Sequence, residues 1–183
     1  MPNIKLAEWF ADANMDDTAT VGGKGASLGE MFQKLSEIGV KVPNGFTLTT
    51  AAFKQFIDAE IPETTWNNIG APEDIEDLRN AAINCSTLAS ALEVCLRDAD
   101  PKDHLNLNSR ATLARSLVRE TPVPDEIKLV IAREYSKLCE LYQPGVDVAV
   151  RSSATTEDSA EASFAGQWES YLDGRGERGI VAM

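Results

Sequence analysis

Two short segments carry the residue types from which a polyanion site can be built. The first is Val21-Gly22-Gly23-Lys24-Gly25-Ala26-Ser27-Leu28-Gly29-Glu30. Flexible glycines, free backbone N–H groups and a lysine together suit phosphate oxygens. The second runs from Val148 to Leu172, VAVRSSATTEDSAEASFAGQWESYL. Here Arg151 follows a short apolar run and leads into the hydroxyls of Ser152, Ser153, Thr155 and Thr156. Backbone N–H groups and hydroxyls donate to phosphate, and arginine adds a charged, bidentate donor. A glycine turn with a surface lysine and a polar hairpin loop with a solvated arginine have the same compositions. Each segment alone therefore leaves both readings open. The first segment is not a P-loop: with Gly23-Lys24 as the GK pair, Thr18 stands where the first glycine is required and Gly25 replaces Ser/Thr. It also fails the GxGxxG spacing.

The elements that must hold these segments follow from periodicity. Leu28, Met31, Phe32, Leu35 and Ile38 have helical spacing, so an amphipathic helix is predicted that ends at Gly39. If that helix starts late, Ser27 and Glu30 supply a capping box. Lys24 then lies at or just before the helix N-terminus, where a cation is unfavourable unless an anion shares the site. Around the second segment, Val146 to Val150 reads as a strand, and Trp168, Ser170 and Leu172 alternate as a second one.

Between them the chain reads as follows. Residues 1–20 form an opening segment whose Trp9 and Phe10 pack onto the core. Pro43-Asn44-Gly45 signals a turn, and Phe46 and Leu48 alternate as a strand. Thr49 or Thr50 caps a helix carrying Phe53, Phe56 and Ile57. Residues 60–122 are more polar and read as a helical insert, with helices over Ile75 to Arg97 and Ser109 to Glu120. Ile127, Val130, Ile131, Leu138, Leu141 and Tyr142 mark a long amphipathic helix stopped by Pro144-Gly145.

Composition bounds the function. The 183 residues are 43% hydrophobic with a net charge of −12, which suits one globular domain, or one domain with a subdomain, and argues against nucleic-acid or anionic-membrane partners. The opening residues lack a signal peptide's basic start and apolar core, and no apolar run reaches the ~20 residues of a membrane span. The expected location is cytoplasmic. Cys85, Cys95 and Cys139 form no CxxC pair and read as reduced thiols rather than a zinc site. His104, the single histidine, reads as a surface or first-turn residue, and the acids over residues 58–77 as a solvated face.

Taken together, VGGKGASLGEM with GVKVPNGFTLTTAAF, and VAVRSSATTEDSAEASFAGQWESYL more than 100 residues later, resemble the N-terminal nucleotide-binding domain of the phosphoenolpyruvate synthase (pyruvate, water dikinase) family. The wider group includes pyruvate, phosphate dikinase and rifampicin phosphotransferase. The resemblance covers residues 15–57 and 124–173. It implies an α/β (α+β) fold: the N-terminal part of an ATP-grasp-like domain over residues 1–173, with the helical insert at 60–122 and a glycine-rich tail at 174–183. It implies ATP as ligand, with Mg²⁺ on the phosphates, and carries phosphate-binding roles onto Lys24 and Arg151. The family's FAG glycine corresponds to Gly166, and a nucleotide-contacting threonine four positions later corresponds to Ser170. Ser152, Ser153 and Thr155 rank below these, as loop residues that close over the phosphates.

The reaction implied is phosphoryl transfer from ATP to a histidine on a separate domain, then to pyruvate, with water taking the other phosphate. Neither that histidine domain nor the pyruvate site is recognisable here. No catalytic residue and no metal ligand is therefore assigned in this chain. The sequence reads as stopping within the domain, with a tail that lacks the next expected helix. Such a chain is expected to bind ATP weakly, to lack turnover by itself, and to self-associate or pair with a partner carrying the missing lobe. A rifampicin phosphotransferase-like kinase and a non-catalytic interaction module are the alternatives.

Overall fold

In the computed structural model, residues 4–70, 75–156 and 170–181 are described. They form a mixed, helix-rich α/β structure with two small antiparallel sheets. The chain divides into two compact units, one of Met1–Phe53 with Asp125–Met183 and one of Lys54–Pro124.

In the first unit, β1 (Ala7–Trp9) pairs antiparallel with β2 (Phe46–Leu48), placing Trp9 opposite Phe46 with ring centroids 6.0 Å apart. The Thr49 hydroxyl donates to the Lys5 carbonyl at 2.7 Å, extending this pairing, while its own carbonyl accepts the Phe53 N–H in the first turn of the helix that follows. That helix, α2 (Thr50–Ile57), begins in the first unit and continues into the second; its Phe53 is 62% exposed.

Between these strands runs α1 (Thr18–Glu37), introduced by a 3-10 turn that Asn14 and Asp17 cap reciprocally. The helix is broken once, at Gly22, whose φ of 77° and ψ of 168° are not helical. A start at Ser27 with a Ser27–Glu30 capping box is thus corrected. Ser27 lies inside α1 and its hydroxyl contacts the Met15 sulfur at 3.8 Å. The predicted stop is where the sequence puts it: Gly39 N–H donates to Ser36 O and Val40 N–H to Leu35 O, with Gly39 at positive φ. This pair of bonds satisfies the last carbonyls of the helix.

Helix α7 (Asp125–Leu141) buries Ile127, Ile131, Tyr135 and Leu138 on one face. The same face holds Glu134, 3% exposed, which accepts hydrogen bonds from the Trp9 indole (2.7 Å), Arg133 Nε (2.7 Å) and Lys137 Nζ (2.8 Å). Burial pushes its carboxyl up, but the bonds from Lys137, Trp9 and Arg133 outweigh that cost and hold it at about 2.

After α7, β3 (Val148–Arg151) pairs antiparallel with β4 (Ser170–Gly174), with an irregularity between Val148 and Val150. Trp168, the predicted start of the second strand, lies outside the described residues. The expectation of no helix in the last ten residues is corrected by α8 (Gly176–Val181). Its start is fixed by the Arg175 guanidinium on both Asp147 carboxylate oxygens (2.7 and 2.9 Å) and by Gly176 N–H on the Tyr135 phenol (3.0 Å).

The second unit is built of helices α3 (Glu63–Asn68), α4 (Glu76–Ile83), α5 (Leu88–Leu96) and α6 (His104–Glu120) around Trp66, Ile69, Ile75, Leu88, Cys95, Leu113 and Leu117. The single helix predicted over Ile75 to Arg97 is two, because Thr87 and Ser90 cap α5 reciprocally and start it afresh. Helix α6 begins at His104 rather than Ser109: the Asp103 carboxylate accepts from Asn106 N–H at 3.1 Å. His104 is exposed in its first turn.

Candidate phosphate-binding site

The two chemistry-bearing segments both belong to the first unit, and they meet. Residues after β3 run against the break in α1. Gly23 N–H donates to Ala154 O at 3.0 Å. The Ser153 hydroxyl donates to Val21 O at 2.7 Å and accepts from Gly25 N–H at 2.9 Å. Beside it, Lys24 Nζ donates to Ser152 Oγ at 3.2 Å across 128 residues of sequence.

Gly22 makes this approach possible. A Cβ on Gly22 would lie 2.1 Å from the Ser153 carbonyl oxygen and 2.4 Å from its hydroxyl, far inside contact distance. The residue also has positive φ with extended ψ, a region essentially restricted to glycine. Both requirements fall on one position, so the helix breaks there and its second part begins beside Lys24. Three features thus coincide: a helix start, a half-buried lysine and a hydroxyl pair. The Gly23 and Gly25 N–H groups of this restart are already used by Ala154 O and Ser153 Oγ, so what the helix start offers an anion is its positive potential rather than those donors.

Arg151 closes β3 and is exposed. Ser170 is its direct cross-strand partner in β4. Opposed residues of antiparallel strands share a face with Cβ atoms roughly 4.5–5.5 Å apart, so the ribbon sets a hydroxyl beside the arginine. Thr155 is exposed in the turn beyond Ala154. Gly166 lies outside the described residues. The described structure therefore joins Lys24 to Ser152, Ser153 to the glycine segment of α1, and Arg151 to Ser170.

Sequence reasoning singled out the lysine of the glycine segment but not the glycine on which its placement depends. The doubled Gly22-Gly23 was the available signal, yet which of the two admits the second segment is set only by the contact itself. A cleft of about 480 Å³ in the helical unit is lined by Ile75, Glu76, Asp77, Leu78, Ala81, Asn106 and Arg110, none of them among the candidate phosphate ligands.

Comparison with known proteins decides the family. Residues 18–183 match the family described as pyruvate phosphate dikinase, AMP/ATP-binding domain. The chain belongs to this family. A phosphoenolpyruvate synthase of Synechocystis sp. is 41% identical over 173 residues, which cover 92% of this chain and 18% of that protein. The phosphoenolpyruvate synthase of Escherichia coli is 36% identical over 171 residues, covering 93% of this chain and 18% of its own length. That of Aquifex aeolicus is 35% identical over 177 residues, covering 96% and 18%. The chain thus spans about a fifth of the length of these curated relatives. Among the described residues, no helix is long and apolar enough to cross a membrane.

Proposed function

We propose that this chain is the ATP-binding portion of a phosphoenolpyruvate synthase, and that the junction of the glycine segment with the Arg151–Ala154 segment cradles the nucleotide's phosphates. The observation that carries the reading is the Lys24–Ser152 bond just after the break at Gly22, because it gathers a cation, a hydroxyl and a helix start at one place. Lys24 and Arg151 supply positive charge to the phosphate oxygens, while Ser152, Ser170 and Thr155 supply hydroxyl donors. Gly166 belongs to the same proposed lining by family position. The half-burial of Lys24 raises the value of its charge, because field lines to a phosphate are less screened there than in open water.

In the parent reaction, ATP, pyruvate and water give phosphoenolpyruvate, AMP and phosphate through a phosphohistidine carried elsewhere. This chain's part is to neutralise and orient the phosphate chain so that transfer runs in line. An ATP-grasp-like arrangement, in which a second lobe covers the nucleotide, fits the exposed Arg151 and Thr155. Mg²⁺ belongs to the proposal as the nucleotide's counter-ion. Among the described residues, no group of three or more His, Cys, Asp or Glu side chains converges to hold a metal ion. No protein ligand is assigned to it, and charge neutralisation here runs through Lys24 and Arg151.

Titration of the 183-residue chain with Mg-ATP by calorimetry tests this, beside Lys24→Ala and Arg151→Ala. Losing one charge-assisted contact to phosphate costs about 1.5–3 kcal/mol, or roughly 10- to 150-fold in affinity. Binding that both substitutions leave unchanged refutes the phosphate roles.

A further inference from the structure

The neighbouring serines of the RSSA segment have their hydroxyls in different bonds, and this separates their roles. A serine hydroxyl carries one proton and two acceptor sites. The Ser153 proton goes to Val21 O at 2.7 Å, and one of its lone pairs accepts from Gly25 N–H at 2.9 Å. Val21 is 1% exposed, so water has little access to take over its carbonyl. A phosphate oxygen is an acceptor only. To receive a bond from Ser153 it would have to take the proton from Val21 O and leave that carbonyl buried without its partner. Ser152 differs: toward Lys24 it acts as the acceptor, a bond that uses a lone pair and not its proton.

We propose that Ser153 is a positioning residue and not a nucleotide ligand: its hydroxyl latches the two sides of the Gly22 break to the strand-end loop and thereby sets Lys24 against Ser152. The bond to Val21 holds the chain before the break and the bond to Gly25 holds it after. Together they span the one residue at which α1 is not helical. The Gly23 N–H bond to Ala154 O lies between them, so the latch is continuous across Val21 to Gly25. Without the hydroxyl, the carbonyl of Val21 and the N–H of Gly25 both lose their partner, and the first turn of α1 after the break, which carries Lys24, is released while the remaining core is untouched. This assignment rests on the phosphate reading of Lys24 for its consequence in binding, but not for the latch itself.

Amide hydrogen exchange of the nucleotide-free chain, with ATP calorimetry alongside, tests it for wild type, Ser153→Ala and Ser152→Ala. Ser153→Ala is expected to raise exchange at Gly23 to Ala26 about tenfold with α7 amides unchanged, and to weaken Mg-ATP binding about tenfold. Ser152→Ala is expected to weaken binding while exchange at Gly23 to Ala26 stays within about twofold of wild type. Unchanged exchange at Gly23 to Ala26 in Ser153→Ala overturns the proposal, whatever happens to affinity. A rise that extends through α7 also overturns it, since that marks general destabilisation. A wild-type chain that binds no ATP refutes the phosphate reading instead, and the exchange comparison still decides the latch.

Discussion

Adding one methyl group at Gly22 tests the central feature of the site. In Gly22→Ala the new Cβ would lie 2.1 Å from the Ser153 carbonyl oxygen and 2.5 Å from its carbonyl carbon. Both are backbone atoms, so no side-chain rotation relieves the clash. Restoring ordinary contact requires the Arg151–Ala154 segment to retreat by more than about 1 Å. Such a shift lengthens the 3.2 Å Lys24–Ser152 bond and the Ser153 bonds beyond useful range. Alanine at this φ and ψ adds a backbone penalty of order 1–3 kcal/mol. Gly39 provides the control: it also has positive φ, at 84°, but a Cβ there meets nothing within 4 Å. Gly39→Ala therefore bears only the left-handed penalty, about 1–2 kcal/mol. The expected result in urea unfolding is that Gly22→Ala loses at least ~1 kcal/mol more than Gly39→Ala, because it also loses bonds worth about 1 kcal/mol each. Mg-ATP affinity should fall with Gly22→Ala and hold with Gly39→Ala. Equal stability losses in the two variants, with unchanged ATP affinity in Gly22→Ala, would refute the close approach.

Other features give independent tests. The Glu134 carboxyl is held at about 2, against 4.5 unperturbed, so ionised Glu134 contributes stability that is complete above about 4.5 and is lost as pH falls toward about 2. Glu134→Gln should accordingly differ from wild type most at neutral pH and least near pH 2 in urea midpoints, and a difference independent of pH contradicts the assignment. Burial, with Cys85 nearby and despite the opposing charge of Arg110, pushes the Cys95 thiol up to about 11. At pH 8 a thiol reagent should modify Cys85 and Cys139, both half-buried, well before Cys95, which should react only on unfolding. Mass spectrometry of the partly modified chain identifies the order.

What the sequence made legible follows the range of the interactions involved. The run Leu28, Met31, Phe32, Leu35 and Ile38 announced α1, and Gly39 its end, because amphipathic spacing and a left-handed stop are local properties. The start was misplaced because Gly22-Gly23 looks like a terminus. It is instead an interruption made by Ser153, a residue 132 positions from Val21 whose hydroxyl completes the turn. Strand β1 was missed for a related reason: three residues have no periodicity of their own, and Ala7–Trp9 is a strand because Phe46–Leu48 pairs with it. Glu134 could not be read as buried from its helix, since its partner is the indole of Trp9, on a strand 125 residues earlier. Thr87 and Ser90 split the predicted helix over Ile75 to Arg97 with a serine where a capping box usually has Glu or Gln, so the local rule passed over it.

The site follows the same division. Lysine, arginine and hydroxyls were visible as phosphate chemistry, but their union was not, because neither segment contains the reason for the other's shape. That reason is steric, and it is shared. The glycine segment needs a residue without Cβ because Ser153 comes within 2.1 Å of where that atom would be, at a φ and ψ that glycine alone readily adopts. The serine segment in turn needs a hydroxyl there because the break leaves Val21 O and Gly25 N–H to be satisfied. Each motif is the boundary condition of the other. A substitution in one should therefore be felt as a loss of order in the other before it is felt as a loss of charge at the nucleotide.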